Sequence, residues 1–587
     1  MKRCPECGRN YNDDSMSFCL DDGSELLFGP ASMDEPATAI LHSTAAPGEA
    51  PTRAQINTTD QTAILHTGAE AEPRESLGGP SEKQSFSANR AAKPLVVVVV
   101  AVLVLVGGFF GYRYFSASGS TQINSIAGMP FENRNSDADT DYLSDGVAES
   151  LIFRLTQLPD LRVSPTSSVM RYKGASTDIA KIASELGVDA VMTGRLTKRG
   201  DNLNITVELV DARTNKSLWG EQYERKLSEL LTTQREIVAE IVSKLRLKLS
   251  GESEQKLAKK YTDNNEAYQL YLQGRYHWNK RNADEFEKAI VFFKQAIEKD
   301  PNFALAYTGL ADTYNSLPGF SDLRQGDYLR QAKQATLKAL DLDSNLAEAH
   351  TSQAQVLLHE YDFAGAEKSF KRSIELDPNY ATAHHWYSRL LSFSGRHNEA
   401  FREITKALEL DPFSFAINGY MEAQLRYAGR FDEALLQMKK WNELFPNENR
   451  FHFTNSEIYA AQGKYDQAVE ERLLAMKANK RPEEMIAELK EAYEKGGWDG
   501  YWRKWQEIRL EELNAKQAKD PNGYVKAMDY AVAYAWGKDK EKTIEYLNKA
   551  YDERERGLIE LKVIKTWDFV RDDPRFKELV RRVGVPE

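Results

Sequence analysis

The sequence predicts a multidomain chain: a small cysteine-bearing head, one transmembrane helix, an α/β domain and an all-α solenoid of helical repeats. Three observations carry this reading. An uncharged stretch runs from Pro94 to Tyr112, strand-like and helix-like periodicities alternate between residues 121 and 250, and alanines recur at a constant interval from Ala332 to Ala468. With 587 residues the chain is too long for one compact core. Hydrophobic residues at 41% and charged residues at 28% exclude collagenous, fully disordered and polytopic membrane classes for the whole. A net charge of -11 disfavours nucleic acid as a partner.

Residues 1–29 form the head. All three cysteines, Cys4, Cys7 and Cys19, lie there, which argues for a local site rather than a disulfide framework. Cys4-Pro5-Glu6-Cys7-Gly8 offers two thiolates on a glycine turn, one edge of a tetrahedral zinc site. Cys19 follows, and Asp22 stands where a fourth thiolate would close the set. Three thiolates and one carboxylate make a less usual structural site, so a knuckle that binds nothing stays open as the alternative. A redox dithiol would need a thioredoxin-like surround that the sequence lacks. The block resembles the short zinc ribbons at the N-termini of many bacterial signalling proteins, and that resemblance implies a structural zinc.

Residues 30–93 are rich in Ala, Thr, Ser, Gly, Pro and Glu, a composition that cannot bury enough apolar surface to offset ordering entropy. This is a tether. It carries Thr-Ala-Ile-Leu-His twice, at Thr38–His42 and Thr62–His66. Each Thr has Leu at the third following position, the offset at which forkhead-associated domains read phosphothreonine. Thr38 and Thr62 are therefore candidate phosphorylation sites for a cytoplasmic phosphothreonine-reading partner, with local duplication as the plain alternative.

Residues 94–113 are assigned to the transmembrane helix. The uncharged run reaches about 29 Å as a helix, close to the roughly 30 Å hydrocarbon core. Val96–Val100 alone would suit a buried strand, but the run continues through Leu103, Leu105, Phe109 and Phe110. Arg74, Lys83, Arg90 and Lys93 precede it and Arg113 alone follows closely, which places the N-terminus in the cytoplasm and exports the remainder behind an uncleaved anchor. The exported part has no cysteine.

Between 121 and 250 the pattern predicts strands at Ile123–Met129 and Leu161–Ser164 and helices at Leu143–Leu158, started by Asp141 or Ser144, and Thr177–Leu186. Three further strands, Ala190–Lys198, Leu203–Asp211 and Ser217–Arg225, are joined by Arg199-Gly200-Asp201-Asn202 and Ala212-Arg213-Thr214-Asn215, both hairpin-turn compositions. A helix over Leu230–Leu249 closes the unit. Asp137, Asp139, Asp141 and Asp145 fail as a calcium loop, because Tyr142 stands at the required Gly and Ala148 at the bidentate Glu. The motifs Met129-Pro130-Phe131-Glu132-Asn133, Tyr142-Leu143-Ser144-Asp145-Gly146, Glu185-Leu186-Gly187-Val188-Asp189-Ala190 and Leu218-Trp219-Gly220-Glu221-Gln222-Tyr223 resemble the TolB amino-terminal-like domain. In that family the domain commonly sits between a membrane anchor and tetratricopeptide repeats, in membrane-integrated regulators, adenylate cyclases and Ser/Thr kinases. No kinase, cyclase or winged-helix domain accompanies it here.

Residues 264–480 are a tetratricopeptide array. Ala289, Ala332, Ala366, Ala400, Ala434 and Ala468 are spaced by 43 and then four times by 34 residues, with Pro301, Pro378, Pro412 and Pro446 at repeat ends and Ser344 substituting once. The longer interval holds an insertion within Leu317–Gly326. Residues 483–587 read as divergent helical repeats, with a pair around Tyr530–Ala550 and a cap near Asp573-Pro574-Arg575-Phe576. Such arrays bind proteins or peptides on the concave face formed by the first helix of each pair, where Asp312, Asn315, Gln355, His385, Arg389, Arg426 and Tyr427 are the candidate partner-binding residues. Arg389 and Arg426 suit a carboxylate; simple solvation or pairing within the array is the competing account. No nucleophile elbow, Walker loop or dinucleotide fingerprint is present, so the chain reads as non-enzymatic. It is expected to be a single-pass bacterial inner-membrane interaction protein in envelope assembly or signalling. The alternatives are a one-component regulator, disfavoured by an acidic head, and a periplasmic ligand sensor.

Overall fold

The computed structural model describes strand residues 2–3, 10–11 and 27–28, and residues 123–586 apart from 136–137, 175–177, 248, 322, 447–449 and 522. The chain divides into two compact units, residues 1–108 and 109–587. In the first, β1 (Lys2–Arg3) pairs antiparallel with β2 (Asn10–Tyr11) and with β3 (Leu27–Phe28). Cys4 and Cys7 fall in sequence between β1 and β2, and Cys19 and Asp22 between β2 and β3. These four residues, Thr38, Thr62 and the 94–113 segment lie outside the described residues. Among the described residues no helix is long and apolar enough to cross a membrane.

The second unit begins with a mixed sheet. Strands β4 (Ser125–Gly128) and β5 (Glu132–Asn133) lead into α1 (Ala138–Thr156), then β6 (Arg162–Ser164) and α2 (Ile179–Leu186), whose N-terminus is capped by the Asp178 side chain. The long meander β7 (Ala190–Arg199), β8 (Asn202–Asp211) and β9 (Lys216–Lys226) follows, and α3 (Leu230–Lys244) closes the layer. Strand order is β6-β4-β7-β8-β9, with β4 parallel to both neighbours and the last three antiparallel. The hairpins form where turn composition predicts them, with Gly200 and Asn215 at positive φ. Helix α1 starts at Ala138 rather than near Leu143, so Asp141 and Ser144 lie inside it instead of capping it. Its first turn is polar, and the apolar spacing that marks the core face, Leu143, Val147, Leu151 and Leu155, begins later.

The linker helix α4 (Gly251–Ala258) leads into six helix pairs: α5 (Asn265–Asn279) with α6 (Ala283–Lys299), α7 (Ala304–Ser316) with α8 (Gln325–Leu342), α9 (Ala347–His359) with α10 (Phe363–Leu376), α11 (Ala381–Phe393) with α12 (His397–Leu410), α13 (Phe415–Tyr427) with α14 (Phe431–Leu444), and α15 (Arg450–Ala461) with α16 (Tyr465–Ala478). The six periodic alanines sit on the second helix of each pair, and every one is fully buried. Only a methyl fits where the two backbones of a pair meet. Beyond them α17 (Glu483–Lys519) breaks at Gly497, α18 (Ala527–Trp536) pairs with α19 (Lys540–Asp552), and α20 (Pro574–Val583) ends the fold with Asp573 as N-cap and Gly584 left-handed at its end.

The α/β layer and the first three repeats share one hydrophobic core. It runs from Ile126 and Leu143 through Tyr268 and Phe303 to Leu346. A polar seam follows the same route. The first four repeat ends carry an aspartate, and three of these, Asp300, Asp343 and Asp377, accept the backbone N–H two residues on, in Asx turns. The preceding segment meets these turns in succession. Thr262 donates to Asp300 at 2.5 Å, Lys259 pairs with Asp343, Lys256 reaches the Leu376 carbonyl beside Asp377, and Ser167 and Ser168 both donate to Asp411.

The C-terminal segment closes the opposite side. Leu558, Ile559, Leu561, Trp567 and Val570 pack with Leu358, Tyr361, Phe363 and Leu390 in a second core. The first helices α11, α13 and α15 end on Gly395, Gly429 and Gly463, all at positive φ, with the next N–H returning to the helix as a Schellman turn. The equivalent residue after α9 is Tyr361, held at φ 69°. Its ring stacks on Tyr551 and its hydroxyl donates to the Glu555 carbonyl. The insertion serves the same contact, since Lys526 donates to the Pro318 and Ser321 carbonyls.

Tyr361→Gly therefore removes a left-handed strain of about 1 kcal/mol but loses a buried aromatic contact of about 3 kcal/mol. The net loss of roughly 2 kcal/mol should raise the rate of limited proteolysis within residues 553–573 about thirtyfold. An unchanged rate would show that Tyr361 does not hold this segment.

Candidate functional site

The first helices α5, α7, α9 and α11 pack against one another in succession, and all seven predicted partner-binding residues lie on first helices of the array. Asp312, Gln355 and Arg389 occupy the same position, the ninth, in α7, α9 and α11. The structure nevertheless divides the set. Asn315, Gln355 and His385 are buried, whereas Asp312, Arg389, Arg426 and Tyr427 are half-buried. Asn315 donates to the Ser352 carbonyl at 3.4 Å, and His385 lies between the rings of Trp386 and Tyr420. Polar residues on a first helix read as groove-lining in sequence, but in so tight a turn some of them fill the seam between neighbouring first helices.

Arg426 is occupied. It binds Glu422 at 2.9 Å and Glu457 at 3.2 Å, and Tyr427 is half-buried beside it. Arg389 differs. Its guanidinium lies 4.4 Å from the Trp386 ring centre and 5.1 Å from that of Tyr420, and its nearest carboxylate is Glu560 of the C-terminal segment at 3.8 Å. Arg389 Nε is buried with no hydrogen-bond partner among the described residues. Rings on its flanks fix the guanidinium plane and leave its N–H edge for an acceptor.

An acidic group sits further along the same helices. Asp312 accepts from Ser352, and its carboxyl is pushed up to about 6 by burial, against the opposing pull of Arg275 and Arg281. Glu348 is pushed up to about 8, first by burial and then by Asp377 and Asp312. Arg275 is committed to Glu149 at 2.7 Å. Burial depresses His359 and His385 to about 3, and nearby arginines, Arg556 and Arg389 for the first and Arg389 and Arg281 for the second, push in the same direction. Both rings are neutral at physiological pH.

Sequence reasoning missed Glu348, His359, Arg281, Arg556 and Glu560. Glu348 and His359 share the first-helix faces and were within reach of the repeat pattern. Arg556 and Glu560 belong to the divergent C-terminal segment, and no local periodicity connects them with α11. Among the described residues no group of three or more His, Cys, Asp or Glu side chains forms a metal site.

Comparisons with known proteins agree with the repeat assignment. Residues 381–414 match the tetratricopeptide repeat family, and residues 121–241 match the second domain of HilA/YgeH-like transcriptional regulators. A putative adenylate cyclase 3 of Rhizobium meliloti (strain 1021) is 32% identical over 238 residues, 40% of this chain and 40% of the relative. The chain thus spans less than half the length of that relative. Solved structures similar in part include YrrB, a tetratricopeptide repeat protein with an unusual peptide-binding site, at 22% identity over 33% of this chain and 95% of its own, TM-score 0.25. PilW, a type IV pilus biogenesis factor, is 17% identical over 36% and 93%, TM-score 0.31. A tetratricopeptide repeat protein of Parabacteroides merdae ATCC 43184 is 16% identical over 49% and 99%, TM-score 0.30.

A carboxyl with a folded-state pKa above its unfolded value binds its proton more tightly when folded. Glu348 therefore favours folding at low pH, and that advantage is lost as pH rises from about 4.5 through about 8. Glu348→Gln should flatten this dependence, leaving stability near pH 5 unchanged and raising it by about 1–3 kcal/mol at pH 8.5. Parallel pH profiles of the thermal midpoint for variant and parent would contradict the assignment.

Proposed function

We propose that this chain is a non-enzymatic, membrane-anchored interaction scaffold, with its α/β domain and tetratricopeptide array on the exported side of a bacterial inner membrane and a zinc-ribbon-like head in the cytoplasm. The observation that carries the reading is the array itself: six helix pairs whose first helices present half-buried charged and aromatic side chains, held in fixed register by the α/β domain. The uncharged run from Pro94 to Tyr112 and its basic N-terminal flank support the anchor and its orientation. The motifs of residues 129–223 support a TolB-like identity for the α/β domain. Cys4, Cys7, Cys19 and Asp22 would hold the zinc, and Thr38 and Thr62 would serve as phosphorylation-dependent docking points on the tether.

A second reading is favoured by the match of residues 121–241 to a domain of transcriptional regulators: a membrane-integrated one-component regulator or periplasmic sensor that signals to the cytoplasmic arm. The head holds Lys2, Arg3 and Arg9 against Glu6, Asp13, Asp14, Asp21, Asp22 and Glu25, an unfavourable balance for DNA. The cyclase named among the relatives is matched over less than half its length, and we read the shared segment as non-catalytic. The purified full chain should form no cyclic AMP from ATP; formation above background overturns the non-enzymatic reading.

The scaffold reading is tested in cells with a photo-crosslinking residue at Asp312 or Tyr427, which should trap a protein partner, against the same residue at exposed Leu337 on a second helix. Equal yields at all three positions would sink it. A reporter active only outside the cytoplasm should work when fused after Ser250 and fail before Pro94; the reverse pattern overturns the topology. The full chain should carry about one zinc, lost in Cys7→Ser, and a metal-free parent would leave the head without its site.

A further inference from the structure

Arginines of the array are generally neutralised. Arg396 binds Glu367 and Glu399, Arg426 binds Glu422 and Glu457, and Arg275 binds Glu149. Departures among the described residues are Arg472, buried with an unpartnered Nε between the Phe453 and Trp502 rings, and the junction of α9, α11 and the C-terminal segment. Arg389, whose side chain is 14% exposed, has Glu560 at 3.8 Å as its nearest carboxylate and the Tyr420 hydroxyl as a polar neighbour. Arg556 makes no ion pair or hydrogen bond with a described residue, and the charges of Arg389 and Glu560 both act on it. Arg281 is exposed, has no such pair, and is stacked 3.5 Å from the Trp278 ring centre. His359 is 2% exposed and its Nδ1 lacks a partner among the described residues.

Two guanidinium groups, Arg389 and Arg556, therefore share one carboxylate, Glu560, in a chain whose net charge is -11. The two neighbouring histidines are held neutral and add no anion. Keeping like charges together away from bulk water is unfavourable unless an anion completes the set. A planar carboxylate accepts two parallel N–H···O bonds from the fork of a guanidinium stacked on rings. Glu560 is itself a carboxylate at this position, but at 3.8 Å it is too far for a hydrogen bond.

We propose that Arg389 and Arg556 form a binding site for a carboxylate of an acidic peptide, and that Glu560 is a built-in competitor that a bound ligand displaces. The proposal rests on the interaction-scaffold reading and specifies the ligand chemistry of the array. Arg281 extends the cationic surface toward α5, where a second acidic side chain of the same peptide finds a partner. Trp386 and Tyr420 supply flat apolar flanks for the peptide backbone on either side of the captured carboxylate.

The test uses the full chain in detergent and fluorescein-labelled hexaglutamate as probe, followed by anisotropy at fixed ionic strength. The parent should bind it, Arg556→Gln and Arg389→Lys should weaken binding at least tenfold, and Glu560→Gln should tighten it at least threefold. The gain in Glu560→Gln cannot come from misfolding, which keeps the proposal falsifiable if an arginine variant is unstable. Hexaglutamine with a free C-terminus and its amide form the comparison arms: binding of the acid alone assigns the site to a terminal carboxylate, and binding of neither assigns it to side-chain carboxylates. Indistinguishable affinities across the parent and the three variants, or no binding of hexaglutamate at all, would overturn the proposal. So would displacement of the probe by inorganic phosphate at concentrations where acetate has no effect. Photo-crosslinking at Asp312 or Tyr427 can still succeed in each of these cases, so failure here is distinguishable from failure of the scaffold reading.

Discussion

The second unit depends on a row of aspartates at the repeat ends. Asp300, Asp343 and Asp377 each close an Asx turn on their own chain, which stops one helix and aims the next. The oxygens left over are where the α/β domain and its linker take hold. Thr262 and Lys259 engage Asp300 and Asp343, and Ser167 and Ser168 engage the next repeat end at Asp411. A tetratricopeptide array is held mainly by nearest-neighbour contacts and flexes along its length. A splint that touches four successive repeat ends removes that freedom. The shared core from Ile126 to Leu346 adds apolar burial to the same effect.

Closure on the other side explains two irregularities of the repeat. Tyr361 stands where three later repeats have glycine at positive φ, and the insertion after α7 breaks the period. Both contact the C-terminal segment, through the Tyr361 hydroxyl on Glu555 and through Lys526 on the carbonyls of Pro318 and Ser321. A strained tyrosine is tolerated because the ring it places is buried against Tyr551. Regular repeats stack, and the departures from regularity dock the segment that ends the stack.

This also marks what a sequence can disclose. The periodic alanines were legible because every one meets the same backbone approach, so identical geometry imposes identical residues. The meander β7-β8-β9 was legible through its turn residues, whose φ values leave few choices. The polar seam was not. The repeat-end aspartates look like ordinary turn residues, and nothing near Thr262 or Ser168 announces that its partner lies in a distant repeat. The candidate site was legible in part: position on a first helix was right for all seven residues, yet burial separated Asn315, Gln355 and His385 from the rest. Helical phase tells which side a residue is on, while the curvature that decides exposure is set by contacts remote in sequence.

Rigidity and unpaired charge belong together here. In a flexible array, Arg389 would move to a carboxylate and satisfy itself, as Arg396 does with Glu367 and Glu399. Splinted along one edge and closed along the other, α11 cannot shift, and stacking on Trp386 and Tyr420 holds the guanidinium in place. Glu560 is equally fixed, because Leu558, Ile559 and Leu561 on either side of it are buried. The two charges are held at 3.8 Å, close enough to attract and too far to bond. A frame that prevents its own charges from pairing leaves their binding capacity available to something else, and the organisation needed for that binding is already present before a ligand arrives.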